Sequence, residues 1–195
     1  MSGTEETIGI GVILAFATLP PLVDYLLVSR AGELERFSFF GDREFRHLLL
    51  SMIGAGVLAA VVGTSVPALG WPGNGWGWIA VGVVVMCLGN GLRYWAILTL
   101  GRFFRFVVEV QDGHRVITTG PYRFIRHPSY TGLLLMQLGL GIAISNTLSL
   151  LICLTLPLLP LGHRIRSEER ALSRNLGSEY VEYMATTKRL IPRVW

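Results

Sequence analysis

Arg126-His127-Pro128-Ser129-Tyr130 closes a polar, turn-rich loop, and two apolar runs follow at once: residues 131–145 and 147–161, with only Ser145-Asn146 at their junction. Two apolar runs joined this tightly read as a helical hairpin, each arm short enough to tilt or to stop short of a full crossing. Proline disfavours the helical conformation in the residue before it. His127 is therefore predicted extended, and Pro128 takes the first helical position of the hairpin. Upstream lies Gly113-His114-Arg115-Val116-Ile117-Thr118-Thr119-Gly120-Pro121-Tyr122, in which Gly120-Pro121 is a turn that folds the loop back. Downstream of the hairpin come Arg164, Glu168 and Glu169.

The rest of the chain fits a membrane setting. Of 195 residues, 51% are hydrophobic and 15% charged, against about 25% charged in a soluble domain. Helices that cross the hydrocarbon core need about 20 apolar residues. Such runs occur at 8–28, 48–69 and 76–100, ahead of the hairpin arms. The predicted fold is all-α: a polytopic membrane protein of about five transmembrane helices forming one domain over 1–195, with three helices in 1–100. Pro20-Pro21 predicts a kink in the first. Trp71, Trp76 and Trp78 fall where an interfacial belt belongs. The acidic start lacks the features of a cleavable signal peptide. The loop 30–46 mixes arginines, carboxylates and phenylalanines and reads as an amphipathic interfacial segment.

All 17 Lys and Arg lie after the first span, at or after the end of the third, or after the fifth. This bias predicts an N-terminus outside and a cytoplasmic C-terminus. It also accounts for the basic pI of about 9.4 without nucleic acid. Cys87 and Cys153 sit in apolar runs and read as packing residues. Four scattered histidines and two such cysteines give no metal site. Glycines within the spans, Gly82 and Gly89 among them, read as close-packing positions.

Two polar clusters pressed against an apolar bundle are what chemistry on membrane-embedded molecules needs. The free amides of the helix start at His127-Pro128 favour an anion. Tyr122 and Tyr130 add aromatic faces; the plainer reading is that His127 and both tyrosines only anchor at the headgroups. Arg164 and Glu168, spaced i and i+4, share a helix face. As an ordinary surface pair they would contribute little. As a site, the carboxylate holds a cation and the guanidinium an anion. Arg93, near the end of the third span, is expected to snorkel to the interface; within the membrane it would signal a site. His114 reads as a solvated turn histidine, and His47 and His163 as interfacial.

In this order the motifs resemble the isoprenylcysteine carboxyl methyltransferase family. The likeness runs over roughly residues 101–195: His114 to Ile117, Gly120-Pro121-Tyr122, Arg126 to Tyr130, the hairpin, Arg164 with Glu168-Glu169, and Gly177-Ser178-Glu179-Tyr180 before a basic tail. The resemblance implies a methyltransferase core over 101–195, with a cytoplasmic cofactor-binding loop and C-terminal helix. It implies S-adenosylmethionine as cofactor, S-adenosylhomocysteine as its product, and a lipophilic or lipidated acceptor. Cofactor contacts would come from His114, Arg115, Val116, Ile117, Tyr122, His127, Pro128, Ser129, Tyr130, Glu168 and Glu169. Arg164 would hold the substrate and, with Glu168, form the catalytic pair. Related readings are a phospholipid or other small-lipid methyltransferase and, more distantly, a sterol-type reductase using a nicotinamide cofactor. A membrane scaffold without chemistry would tolerate alanine at His127 and Glu168.

Overall fold

The computed structural model describes residues 43–73, 75–104 and 115–192. The span predicted at 8–28, most of the loop 30–46, and His114 lie outside them. The described elements are helical: α1 (Arg43–Ser65), α2 (Gly75–Leu100), α3 (Pro128–Ile144), α4 (Thr147–Thr155), α5 (Leu158–Leu176) and α6 (Ser178–Thr186), with 3-10 turns at Pro67–Leu69, Gly101–Phe103 and Gly120–Arg123. Among the described residues there are isolated bridges and no strand. Among the described residues, three stretches are long and apolar enough to cross a membrane: Arg43–Ser65, Gly75–Phe103 and Thr147–Leu176. Leu50, Val57, Val61, Val84, Leu88 and Leu98 stand exposed along α1 and α2, as lipid-facing side chains do.

α2 and α3 run against each other because glycines remove the side chains between them. A Cβ at Gly89 would lie 2.7 Å from the Gly132 carbonyl oxygen, and one at Gly132 would lie 2.6 Å from that of Gly89. Gly82 and Gly139 form the same reciprocal pair seven residues, two turns, further along. Any larger residue would wedge the helices apart.

The predicted hairpin is present, and its turn has a specific lock. Ser145 takes a left-handed conformation, φ 53°. Asn146 is fully buried and caps α4, its side-chain oxygen accepting from the amides of Leu148 (3.0 Å) and Ser149 (3.2 Å). Its Nδ2 donates to the Val66 carbonyl at 2.9 Å. The Ser149 hydroxyl donates to Ala59 O at 2.7 Å, and the Trp71 amide to Ser145 O at 2.7 Å. Trp71 and Trp78 pack edge to face beside this turn, ring centroids 4.8 Å apart.

Boundaries differ from expectation. α1 is already helical at Arg43, ahead of residue 48, and ends at Ser65 rather than 69. Glu44 in its first turn suits the positive end of the helix dipole, so the polar residues extend the apolar helix. The run at 147–161 is also not one helix. Pro157 has no amide to donate, and α4 ends at Thr155 before α5 resumes at Leu158 and continues to Leu176. Arg164, Glu168 and Glu169 thus stand on a helix that begins within the apolar layer.

Candidate active site

At the end of the bundle remote from Asn146, a strap and a helix start place the polar residues. The backbone of 125–127 pairs with 188–189: the Arg126 amide donates to Lys188 O at 2.7 Å and the His127 amide to Arg189 O at 3.0 Å. Thr131 Oγ1 donates to Leu190 O at 2.8 Å, and Leu190 is buried with Leu48, Leu161 and Ile165. His127 has φ −124° and ψ 56°, short of fully extended. Its carbonyl is drawn into the first turn of α3, accepting from the amides of Tyr130 and Thr131, both at 3.1 Å.

Tyr130 is the centre of one chain of hydrogen bonds. Arg164 Nε donates to its hydroxyl at 2.9 Å, and that hydroxyl donates to Glu168 Oε2 at 2.8 Å. Arg164 is 2% exposed, its guanidinium 5.3 Å from the centre of the Phe45 ring. The reading of Arg164 and Glu168 as an ordinary surface pair is therefore corrected. Apolar neighbours bury the arginine, and a phenol joins it to the carboxylate. The Glu168 side chain keeps 31% of its exposure and so can still meet a ligand.

Glu169, a helical step of 100° away, does something different. Its buried carboxylate accepts from Arg126 Nε at 3.0 Å and from Arg189 Nη2 at 2.8 Å. His127 Nε2 lies 3.3 Å from it, while Nδ1 lies 3.8 Å from Glu168. The Glu169 carboxylate holds the Arg189 guanidinium above its ordinary pKa by hydrogen bonding. Arg126 also donates to the carbonyls of Met184 and Thr187. The hub thus ties together the loop, α5 and the strap.

Arg93 does not snorkel. It is 4% exposed, and Nη1 donates to Ser129 Oγ at 2.6 Å, because Gly132 lets the two helices approach too closely for the side chain to leave. Tyr122, buried in its 3-10 turn, faces the same group. Burial first, then the charge of Glu168, pushes its phenol well above the usual value. Tyr183 donates to the Tyr122 carbonyl at 2.6 Å. Burial pushes the Tyr183 phenol up to about 12, so it stays a donor at neutral pH.

The structure therefore brings together Tyr122, His127, Ser129, Tyr130, Arg164, Glu168 and Glu169, with Pro128 buried at the helix start. Arg115 is exposed, and Val116 and Ile117 are half-buried, outside this group. Sequence reasoning missed Arg126 and Arg189 as partners of Glu169 and underrated Arg93. The available signal was the pair Glu168-Glu169 itself. One of two adjacent carboxylates on a half-buried helix must turn inward and needs cationic partners.

Fold and site define an all-α integral membrane protein with a charged cluster at one end of its apolar helices. Residues 80–174 match the model of the isoprenylcysteine carboxyl methyltransferase (ICMT) family. Protein-S-isoprenylcysteine O-methyltransferase B of Arabidopsis thaliana is 32% identical over 120 residues, covering 60% of this chain and 61% of that protein. The Saccharomyces cerevisiae protein-S-isoprenylcysteine O-methyltransferase is 33% identical over 105 residues, covering 53% and 44%. The matched stretch is thus under two thirds of these relatives' length. A solved structure of the eukaryotic intramembrane Ras methyltransferase ICMT has the same fold, with TM-score 0.78 and 24% identity over 100% of this chain and 70% of that one. The family match ends at residue 174, so Tyr183 and the strap that carries Arg189 lie beyond it.

Proposed function

We propose that the protein is an S-adenosylmethionine-dependent methyltransferase acting on a lipophilic acceptor within the membrane, by carboxyl O-methylation of an isoprenylcysteine-like substrate. The observation that carries this reading is the chain Arg164–Tyr130–Glu168. It sets an anion-binding guanidinium and a cation-binding carboxylate side by side at the head of apolar helices.

The donor set fits the cofactor. Glu168 retains exposed carboxylate beside His127 and the start of α3. A carboxylate suits the cofactor's ammonium, and helix-start amides suit its own carboxylate. When bound, S-adenosylmethionine supplies a methyl group carried on a sulfonium. The protein's residues do the rest by position. Glu168 binds, with Tyr122 and the Pro128–Tyr130 helix start as walls. Glu169, committed to Arg126, Arg189 and His127, braces His127. Arg164 orients the acceptor carboxylate. A carboxylate is already ionised at pH 7, so no general base is needed, in keeping with a Glu169 whose oxygens are taken. Alignment of donor and acceptor contributes up to about 7–11 kcal/mol. The distribution of Lys and Arg supports five spans, with the N-terminus outside and the site and C-terminus in the cytoplasm.

The test is calorimetry of the detergent-purified chain with S-adenosylhomocysteine, followed by methyl transfer to an S-prenylated cysteine with a free or a blocked carboxylate. Saturable binding, weakened about tenfold or more in Glu168→Ala, and transfer only to the free acid are expected. A folded protein that binds nothing overturns the cofactor assignment; transfer to a lipid amine instead overturns the acceptor.

A further inference from the structure

Beside Glu169 lies a cavity of about 670 Å³, lined by Arg166, Arg170, Arg174 and Arg189 with His163 and Met184. Arg166, Arg170 and Arg174 follow one another at i, i+4 and i+8 on α5, all exposed. Like charges at this spacing destabilise a helix. Among the described residues that line the cavity, the one carboxylate is Glu169. Its oxygens are already engaged by Arg126, Arg189 and His127, and the lining His163 pairs with Glu44 of α1, itself not part of the lining, at 3.3 Å. The cavity is therefore strongly cationic.

The same face continues into the apolar layer. Leu159 is 85% exposed and Leu158 46%, while Gly162 has no side chain to interrupt the path. Leu159, His163, Arg166 and Arg170 fall on one helical stripe. From Leu159 to Arg166 the axis rises about 10 Å, the separation between an acyl chain and its headgroup. Apolar contact below and guanidinium donors above match one kind of molecule.

We propose that this cavity binds the phosphate headgroup of an anionic glycerophospholipid, whose acyl chain lies along Leu158, Leu159 and Gly162. The arginines supply charge-assisted donors to the phosphate oxygens. The opening, large enough for a glycerol phosphate, lies against the hub that braces His127. The site does not rest on methyl transfer, only on the membrane setting.

The full-length chain in detergent micelles is titrated with phosphatidylglycerol or phosphatidylcholine, and bound lipid is counted by native mass spectrometry. Phosphatidylglycerol should be retained preferentially, and each Arg→Gln change at 166, 170 or 174 should weaken retention about fivefold. Lysine at the same three positions should restore most of it. S-adenosylhomocysteine binding should persist in Arg170→Gln, which separates this site from the one above and remains testable if the triple variant, with Gln at 166, 170 and 174 together, does not fold. Equal retention of both lipids, or undiminished retention by Arg170→Gln and the triple variant, overturns the proposal. So does displacement of the lipid by inorganic phosphate alone, which would make this a free-phosphate site.

Discussion

The two ends of the bundle solve the same problem with different chemistry. At one end Asn146 is fully buried and satisfies two amides and a carbonyl with a single neutral side chain. At the other, Glu169 is buried among Arg126, Arg189 and His127, next to a second group of Arg164, Tyr130 and Glu168. Both tie a helix start to a distant segment. Only the second uses charges, and a buried ion pair is a poor way to gain stability compared with neutral or apolar packing. The Asn146 end shows what folding requires; the surplus of charge at the other end exceeds that requirement and is what the proposed function would account for.

Substitutions can break that contrast. The largest effect is expected at Arg164→Ala: a fall in single-turnover methyl transfer of about a hundredfold to a thousandfold, with S-adenosylhomocysteine affinity within about threefold of wild type by calorimetry. A variant that loses both equally would make Arg164 a structural residue like Asn146. Next is Asn146→Ala, which leaves the Val66 carbonyl and two α4 amides without this partner. It should cost about 2 kcal/mol of stability in denaturant unfolding, while turnover per folded molecule stays unchanged. If turnover falls instead, the two ends are coupled and the division fails. The smallest effect is expected at Tyr183→Phe. It removes the donor to Tyr122 O and should cost about 1 kcal/mol, with a few-fold loss of S-adenosylhomocysteine affinity through Tyr122. No change in affinity would detach Tyr122 from the cofactor wall.

Much of this was legible because apolar periodicity and proline placement are local signals. The hairpin at Ser145-Asn146, the helix start at Pro128 and the shared face of Arg164 and Glu168 all follow from residues close in sequence. The break at Pro157 was visible in the composition but was read as part of a continuous run. Partners across long separations were not legible. Nothing near Glu169 announces Arg126, 43 residues away, and nothing near Arg93 announces Ser129, 36 residues away. Burial of Arg93 depends on Gly132 of another helix, which a one-dimensional reading takes only as packing. His114 lies outside the described residues, so its place in the cofactor loop rests on the motif alone.

The strap has a consequence in time. Thr131 waits for Leu190, 59 residues later in the chain, and Glu169 waits for Arg189. While the chain is being made, the loop and hairpin emerge from the ribosome well before the segment that fastens them. The pocket is therefore among the last parts of the described structure to close, fastened only once the segment carrying Arg189 and Leu190 has followed the helices out.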